Sequence, residues 1–90
     1  YQLGEIQHLG NELIYQKTGK IDRLPIPFDH QNSPLTIQIG FSGKVREYGK
    51  NHQEEIKKIW QNHQIPVLLR DRVPLVFNKN ILLGLLYPRG

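Results

Sequence analysis

The chain has 90 residues, a net charge of +4 and no cysteine. Its length predicts a single domain. The absence of cysteine excludes disulfides and thiolate chemistry and is compatible with a reducing, cytoplasmic environment. No apolar run approaches the roughly 18 residues that a membrane span needs, so we expect a soluble domain with no membrane partner. The chain also lacks methionine and begins at Tyr1, which predicts that it is part of a longer polypeptide.

Positive charge is concentrated in the second half of the chain. Residues 42–90 hold nine of the twelve Lys and Arg side chains but only four of the eight Asp and Glu side chains. A one-sided positive surface favours an anionic partner. Nucleic acid is favoured over a membrane surface because no large amphipathic apolar face accompanies the charge.

The N-terminal third predicts extended structure. Residues 9–18 form a predicted strand that Gly19 ends. In residues 21–28 three apolar side chains alternate with two prolines, which cannot donate to a strand ladder. This pattern predicts an edge strand or an extended arm laid over the core. Residues 29–34 are polar and predict a loop.

The clearest strand pattern lies in residues 35–41, where apolar and small or polar side chains alternate without a break. Ser42-Gly43 is the predicted turn after this strand. Residues 44–48 are then expected to return as its hairpin partner.

An amphipathic helix is predicted next. Asn51 and Glu54 have the spacing of a capping box, with Asn in the Ser/Thr position. Three large apolar side chains follow at helical spacing, so we expect all of them, Trp60 included, to pack in the core. Pro66 predicts that the helix ends no later than the residue before it.

A second hairpin is predicted from residues 74–78 and 81–87, with Lys79-Asn80 as its turn. Antiparallel hairpins interrupted by one helix favour the α+β class over a doubly wound sheet. We therefore expect a small antiparallel sheet or sandwich of two or more hairpins with one main helix.

Six cationic side chains are candidate contacts for a polyanion. Lys57 and Lys58 lie on the helix flank away from the apolar stripe, where they either follow an RNA backbone or form an ordinary solvated face. One arginine of Arg70-Asp71-Arg72 is expected to be structural and the other to face a ligand, with no preference between them. The complete candidate set is Arg46, Lys50, Lys57, Lys58, Arg70 and Arg72.

No catalytic or metal site is predicted. The four histidines lack metal-ligand spacing and have no cysteine partner. No glycine-rich phosphate loop is present, because Gly40 and Gly43 flank a predicted hairpin turn. No nucleophile has an adjacent base that the sequence can place beside it.

Three segments follow one another along the chain: Ile56-Lys57-Lys58-Ile59-Trp60-Gln61, Ile65-Pro66, and Arg70-Asp71-Arg72-Val73-Pro74-Leu75. In this order and spacing they resemble the C-terminal substrate domain of the bacterial tRNA(Ile)-lysidine synthetase (TilS) family. The resemblance runs from about Leu35 to Leu86. It divides the domain into a variable N-terminal segment, residues 1–34, and a core, residues 35–90. Gln53-Glu54-Glu55 departs from the basic run that is frequent there in the family, and Val67-Leu68 replaces the usual Pro-Trp.

The resemblance implies a fold similar to a domain of the phenylalanyl-tRNA synthetase beta chain. It also implies a parent ligase that uses ATP, with Mg, in an N-terminal domain to attach lysine to the wobble cytidine of a minor tRNA(Ile). The S-G-G-x-D-S loop of that chemistry is absent from these 90 residues. The chain itself would need no cofactor and would bind tRNA(Ile) near the acceptor region. Its other partners would be the rest of the parent enzyme and, in a homodimer, a second copy.

Two alternatives stay open. A protein-interaction or dimerisation module would dock a partner through the arm Leu24–Phe28 or a sheet edge, and its complex would be insensitive to salt. A small stand-alone enzyme would need a buried histidine–carboxylate pair in a cleft.

Overall fold

The computed structural model describes residues 4–31 and 33–87. Within these residues the chain forms eight strands and one α-helix: β1 (Glu5–Leu9), β2 (Glu12–Lys17), β3 (Lys20–Pro25), β4 (Thr36–Gln38), β5 (Lys44–Glu47), β6 (Glu54–Glu55), α1 (Ile56–Asn62), β7 (Leu75–Asn78) and β8 (Ile81–Leu85). Two 3-10 helices, Phe28–His30 and Val67–Arg72, complete the regular structure of this part. The predicted α+β class, with hairpins and one main helix, is confirmed.

The strands form two sheets. The first has the order β1-β2-β3 and is antiparallel throughout. The second has the order β4-β7-β8-β5-β6, and its one parallel pair is β5 with β8. β7 is buried along its whole length, so it lies at the centre of the fold.

The five-stranded sheet has a hydrophobic cluster on each of its faces. Helix α1 packs on one face, where Trp60 and Ile59 meet Leu75, Phe77 and Leu82 of the sheet. Alternate side chains of a strand point to opposite faces, and Val76, between Leu75 and Phe77, belongs to the other cluster.

The three-stranded sheet covers that other face. Its Leu13 and Tyr15 join Val76 in the second cluster, with Leu24 partly buried against it. A Cβ atom at Gly84 would lie 2.5 Å from Cδ1 of Leu24, so the absence of a side chain at Gly84 allows the two sheets to approach closely. The protein therefore has three layers: helix, large sheet and small sheet.

Several predicted elements are confirmed. β2 lies within residues 9–18 and ends before Gly19, although residues 10 and 11 turn the chain between β1 and β2. β3 is an edge strand, as the prolines predicted. The hairpin about Lys79-Asn80 forms from β7 and β8. Helix α1 buries its predicted stripe and ends at Asn62, before Pro66.

The predicted hairpin of residues 35–41 with 44–48 is wrong. β4 comprises only three residues and pairs with β7, whereas β5 pairs with β6 and β8. The connecting residues include Gly40 and Gly43 with φ of 75° and 112°, so the backbone there leaves the extended conformation. The alternation of residues 35–41 predicted a strand correctly, but it carries no information about which strand lies beside it.

The predicted capping box is also wrong. Glu54 lies in β6, and the helix begins two residues later, with Glu55 at the N-cap and no side-chain capping bond. The Glu54 carboxylate instead accepts a hydrogen bond from Lys50 at 3.2 Å and lies 3.2 Å from the His52 ring. These contacts hold its side chain in the preceding loop and away from the first turn of α1.

Candidate nucleic-acid interface

Lys57 and Lys58 occupy the solvent side of α1. Both are exposed, while Ile56, Ile59 and Trp60 of the same helix are buried. This short helix presents the two ammonium groups away from the core because its apolar face is fixed on the five-stranded sheet.

The helix ends in a Schellman motif. The Ile65 amide donates to the Trp60 carbonyl at 3.0 Å, and the Gln64 amide donates to that of Gln61 at 3.0 Å. Gln64 occupies the left-handed position, with φ of 57°, where glycine is more usual. The motif leads the chain into the second 3-10 helix, which carries both candidate arginines.

Arg70 and Arg72 differ in their surroundings. Arg70 is half-buried, and its Nε donates to the Ile65 carbonyl at 3.0 Å, so its guanidinium ties the 3-10 helix to the end of the Schellman motif. Arg72 is exposed and lines a cavity. Arg70 is therefore tied to the backbone of the domain, whereas the Arg72 side chain lies at the surface.

Lys50 lies between two carboxylates. Its Nζ is 3.2 Å from Glu47 and 3.2 Å from Glu54. The hydrogen bond to Glu47, followed by that to Glu54, raises the pKa of Lys50. The hydrogen bond from Lys50 lowers the pKa of Glu54. His52 and His63 flank the same two carboxylates, at 3.2 and 3.6 Å. We call Glu47, Lys50, His52, Glu54 and His63 the carboxylate cluster.

Arg46 lies on the face of the large sheet opposite to the face that helix α1 covers. In β5 the exposed Lys44 and Arg46 alternate with the buried Val45 and the half-buried Glu47. Val45 belongs to the cluster under α1 and Glu47 lies beside His63, so these two side chains are on the helix side. Alternation places Arg46 on the opposite side of the sheet.

The structure therefore divides the six predicted cations instead of gathering them in one patch. Lys57 and Lys58 share the exposed side of α1, Lys50 belongs to the carboxylate cluster, and Arg70 bonds to the backbone. Arg72 is brought together with Lys17 and Lys20, two side chains outside the predicted set that line the same cavity. A local signal for them was present, because Thr18-Gly19 between two lysines is a two-residue hairpin turn that sets the lysines opposite each other.

The arm is divided between the core and the surface, and one histidine ties it to the large sheet. Ile26 is buried at 3% exposure and lies in the core, although Phe28 is 88% exposed. His30 Nδ1 donates to the buried Asn78 side chain at 2.6 Å, which ties the first 3-10 helix to β7. Among residues 4–31 and 33–87, no group of three or more His, Asp or Glu side chains could hold a metal ion. In the same residues no helix is long and apolar enough to cross a membrane.

These features define a small, basic α+β domain. The family model described as the TilS substrate C-terminal domain matches residues 35–84. More than half of the chain is covered by this match, so the chain belongs to that family.

Relatives with the name tRNA(Ile)-lysidine synthase are similar to the chain over most of its length. The protein from Actinobacillus pleuropneumoniae serotype 3 is 52% identical over 75 residues, which cover 83% of this chain and 18% of that protein. The protein from Haemophilus ducreyi is 42% identical over 84 residues, which cover 93% of this chain and 20% of that protein. The chain thus spans about a fifth of the length of these relatives. No solved structure matches it.

Proposed function

We propose that this chain is the C-terminal substrate domain of a tRNA(Ile)-lysidine synthase and that it binds tRNA(Ile) away from the anticodon, near the acceptor region. The parent enzyme would attach lysine to the wobble cytidine of that tRNA in the cytoplasm. ATP and Mg would act in another part of the parent, so this chain would contribute binding and not chemistry.

The family match over residues 35–84 carries the proposal. It is supported by the exposed lysines of α1, which present two flexible charges on a rigid element suited to following a phosphate backbone. Arg46 and Arg72 add further exposed cations. The two remaining predicted contacts, Lys50 and Arg70, would act mainly by holding the surface in shape, since each is hydrogen-bonded within the domain.

Salt dependence of tRNA binding tests the proposal. If about four phosphates are neutralised, the log–log slope of affinity against salt should be roughly −3 to −4. A fourfold rise in salt would then weaken binding about a hundredfold. Fluorescence anisotropy of labelled tRNA(Ile), titrated with the chain at several salt concentrations, measures this slope. Affinity for tRNA that salt leaves unchanged would contradict the proposal, and no binding of tRNA at any salt concentration would favour the protein-interaction alternative.

The double variant Lys57→Ala/Lys58→Ala tests the helix face. We expect it to lower tRNA affinity and flatten the salt slope without unfolding the domain, because both side chains are exposed. The matched control, Lys44→Ala/Lys79→Ala, also removes two exposed lysines. Equal affinities for the helix variant and the unmodified chain, with circular dichroism unchanged, would remove this face from the interface.

A further inference from the structure

Phe28, the first residue of the first 3-10 helix, is 88% exposed. Single exposed apolar side chains are common on protein surfaces, so exposure alone does not indicate a site. The surroundings of Phe28 add three features that suit an unpaired nucleotide. They are a fixed backbone, a second exposed aromatic ring and a nearby cation.

The backbone that carries Phe28 is fixed on both sides. Before it, Ile26 is buried, and its carbonyl accepts a hydrogen bond from the Gln31 side chain at 3.1 Å. After it, the His30 ring bonds to the Asn78 side chain of β7 at 2.6 Å. Because this segment is already ordered, a ligand that stacks on the Phe28 ring would not have to order a mobile loop first.

A second aromatic ring lies beside this helix. The Tyr48 hydroxyl donates to the Asp29 carboxylate at 3.3 Å, and the Tyr48 ring meets the His30 ring edge-on, with centroids 5.4 Å apart. Tyr48 nevertheless remains 47% exposed. Because Phe28 directly precedes Asp29, these contacts bring two exposed aromatic residues into one region of the surface.

Arg46 supplies the cation. The Tyr48 amide donates to the Leu82 carbonyl at 2.9 Å, so the pairing of β5 with β8 continues to this residue. Residues two apart on a strand share a face and are separated by about 7 Å, which places Arg46 on the same face as Tyr48. Within the described residues Arg46 forms no ion pair with an Asp or Glu side chain. We call Phe28, Tyr48 and Arg46 the aromatic patch.

The charges around the patch determine which part of a nucleotide fits where. Asp29 is exposed and negative, so it would repel a phosphate group placed directly beside Phe28. A base is uncharged and stacks on an aromatic ring, as is usual in proteins that bind unpaired RNA. Arg46, two residues before Tyr48, can bind a phosphate of the same strand through its planar guanidinium.

The position of the patch favours an unpaired strand over a duplex. Lys57 and Lys58 lie on the exposed side of α1, whereas Arg46 and Tyr48 lie on the opposite face of the large sheet. A flexible single strand can bend around the edge of the sheet to reach this second face. Bases inside a duplex are stacked on one another and do not present their flat surfaces to a protein.

We propose that the aromatic patch binds one unpaired nucleotide of an RNA strand, with the base stacked on Phe28 and a phosphate on Arg46. The identity of that strand as part of tRNA(Ile) rests on the proposed function. The patch distinguishes single-stranded from double-stranded RNA, whereas the lysines of α1 contact phosphates that both forms contain.

A short single-stranded RNA is the first probe, and a long RNA duplex is its comparison. In fluorescence anisotropy, Phe28→Ala should weaken binding of the single strand about tenfold, within the range for the loss of one stacked base. Binding of the duplex should not change. The matched control Leu68→Ala removes an apolar side chain that is 87% exposed and should alter neither affinity. Equal losses in the two variants, with circular dichroism unchanged, would overturn the site.

Two further substitutions separate stacking from general apolar contact. Phe28→Trp keeps a flat ring, so it should preserve the affinity, and the single strand should quench the fluorescence of the new indole. The buried Trp60 of the unmodified chain provides the baseline. Phe28→Leu keeps an apolar side chain without a flat ring and should lose as much affinity as Phe28→Ala. Full affinity in Phe28→Leu would show that no base stacks there.

The role of Arg46 is measured by salt. Arg46→Gln should weaken binding of the single strand and make the log–log salt slope shallower by roughly 0.7, the value for one phosphate of a single strand. Lys44→Gln removes an exposed charge from the same strand, farther from Tyr48, and should change the slope less. Equal changes in the two variants would overturn the assignment of a phosphate to Arg46, because only net charge would then matter.

Binding of tRNA(Ile) separates this proposal from the proposed function. If the unmodified chain and Phe28→Ala bind tRNA(Ile) equally well, the patch is overturned and the proposed function stands. If the short strand binds through Phe28 but tRNA(Ile) does not bind, the proposed function is overturned and the patch stands as a site for unpaired RNA. A concentration-dependent dimer that Phe28→Ala disrupts, measured by sedimentation velocity, would assign the ring to a protein interface and overturn the patch.

Discussion

The carboxylate cluster and the exposed side of α1 place basic side chains in two different surroundings in one small domain. In the cluster, Lys50 is 3.2 Å from each of two carboxylates, so its charge is neutralised locally. On α1, Lys57 and Lys58 are exposed on the side of the helix that faces away from the core. The comparison teaches that the surroundings of a basic side chain depend on packing and not on the number of charges in a segment.

The largest expected effect arises at Gly84, where the small sheet meets the large sheet that carries the carboxylate cluster. In Gly84→Val the new side chain would meet Leu24, whose Cδ1 would lie 2.5 Å from a Cβ at this position. Overpacking of this kind costs about 1–3 kcal/mol, which urea unfolding would measure. The carboxylate cluster, which belongs to the large sheet and α1, should remain assembled.

Leu24→Ala in the Gly84→Val background is the control for this mechanism. It removes the atoms that the valine would meet, so it should recover part of the lost stability. In the unmodified chain the same substitution should not increase the stability. If the two substitutions are simply additive, the contact between Gly84 and Leu24 is not the cause of the destabilisation.

The strained turn between β2 and β3 can be changed without changing the charge of the chain. Thr18→Asn places a residue that tolerates positive φ at the strained position of the type I′ turn. We expect it to stabilise the chain by about 1 kcal/mol, the lower end of the cost of a left-handed residue with an L side chain. Thermal unfolding would measure the gain.

Thr18→Val is the matched comparison, because it keeps the branched shape and removes only the hydroxyl. We expect no gain in stability from Thr18→Val, because valine is also a β-branched residue at a position with positive φ. A loss of stability in Thr18→Asn would show that the threonine is favourable at this turn.

The sequence predicted the structural features that depend on local patterns of residues. Periodicity located α1 and its buried Trp60, and two prolines identified β3 as an edge strand. The sequence did not predict which strands that are distant in the chain pair with each other. The alternation of residues 35–41 could not show that β7 is the partner of β4, because every strand of suitable pattern is an equal candidate.

The candidate site was predicted less completely than the fold for the same reason. The first half of the chain holds more acidic than basic side chains, so Lys17 and Lys20 were absent from the predicted set. They line a cavity with Arg72 only because the small sheet packs near it. Likewise, the contrast between Arg70 and Arg72 depends on a hydrogen bond to the Ile65 carbonyl, which no spacing rule specifies.

The smallest expected effect lies in the carboxylate cluster and appears with pH. The pKa of Glu54 is lowered from its ordinary value of 4.5, first by the hydrogen bond from Lys50. A group with a lowered pKa in the folded state stabilises the fold above its unfolded pKa, and this contribution disappears as the pH falls through the folded pKa. Glu54→Gln should therefore be less stable than the unmodified chain at pH 7, and the difference should shrink below pH 4.5.

Urea unfolding at a series of pH values would measure this convergence, with Glu5→Gln as the control because it removes an exposed carboxylate from β1. The affinity for tRNA at pH 7 sharpens the comparison further. Glu54→Gln releases one of the two acidic partners of Lys50, so it should strengthen binding slightly if Lys50 lies near the RNA. Weaker binding of tRNA by Glu54→Gln would mean that the intact cluster supports the shape of the interface.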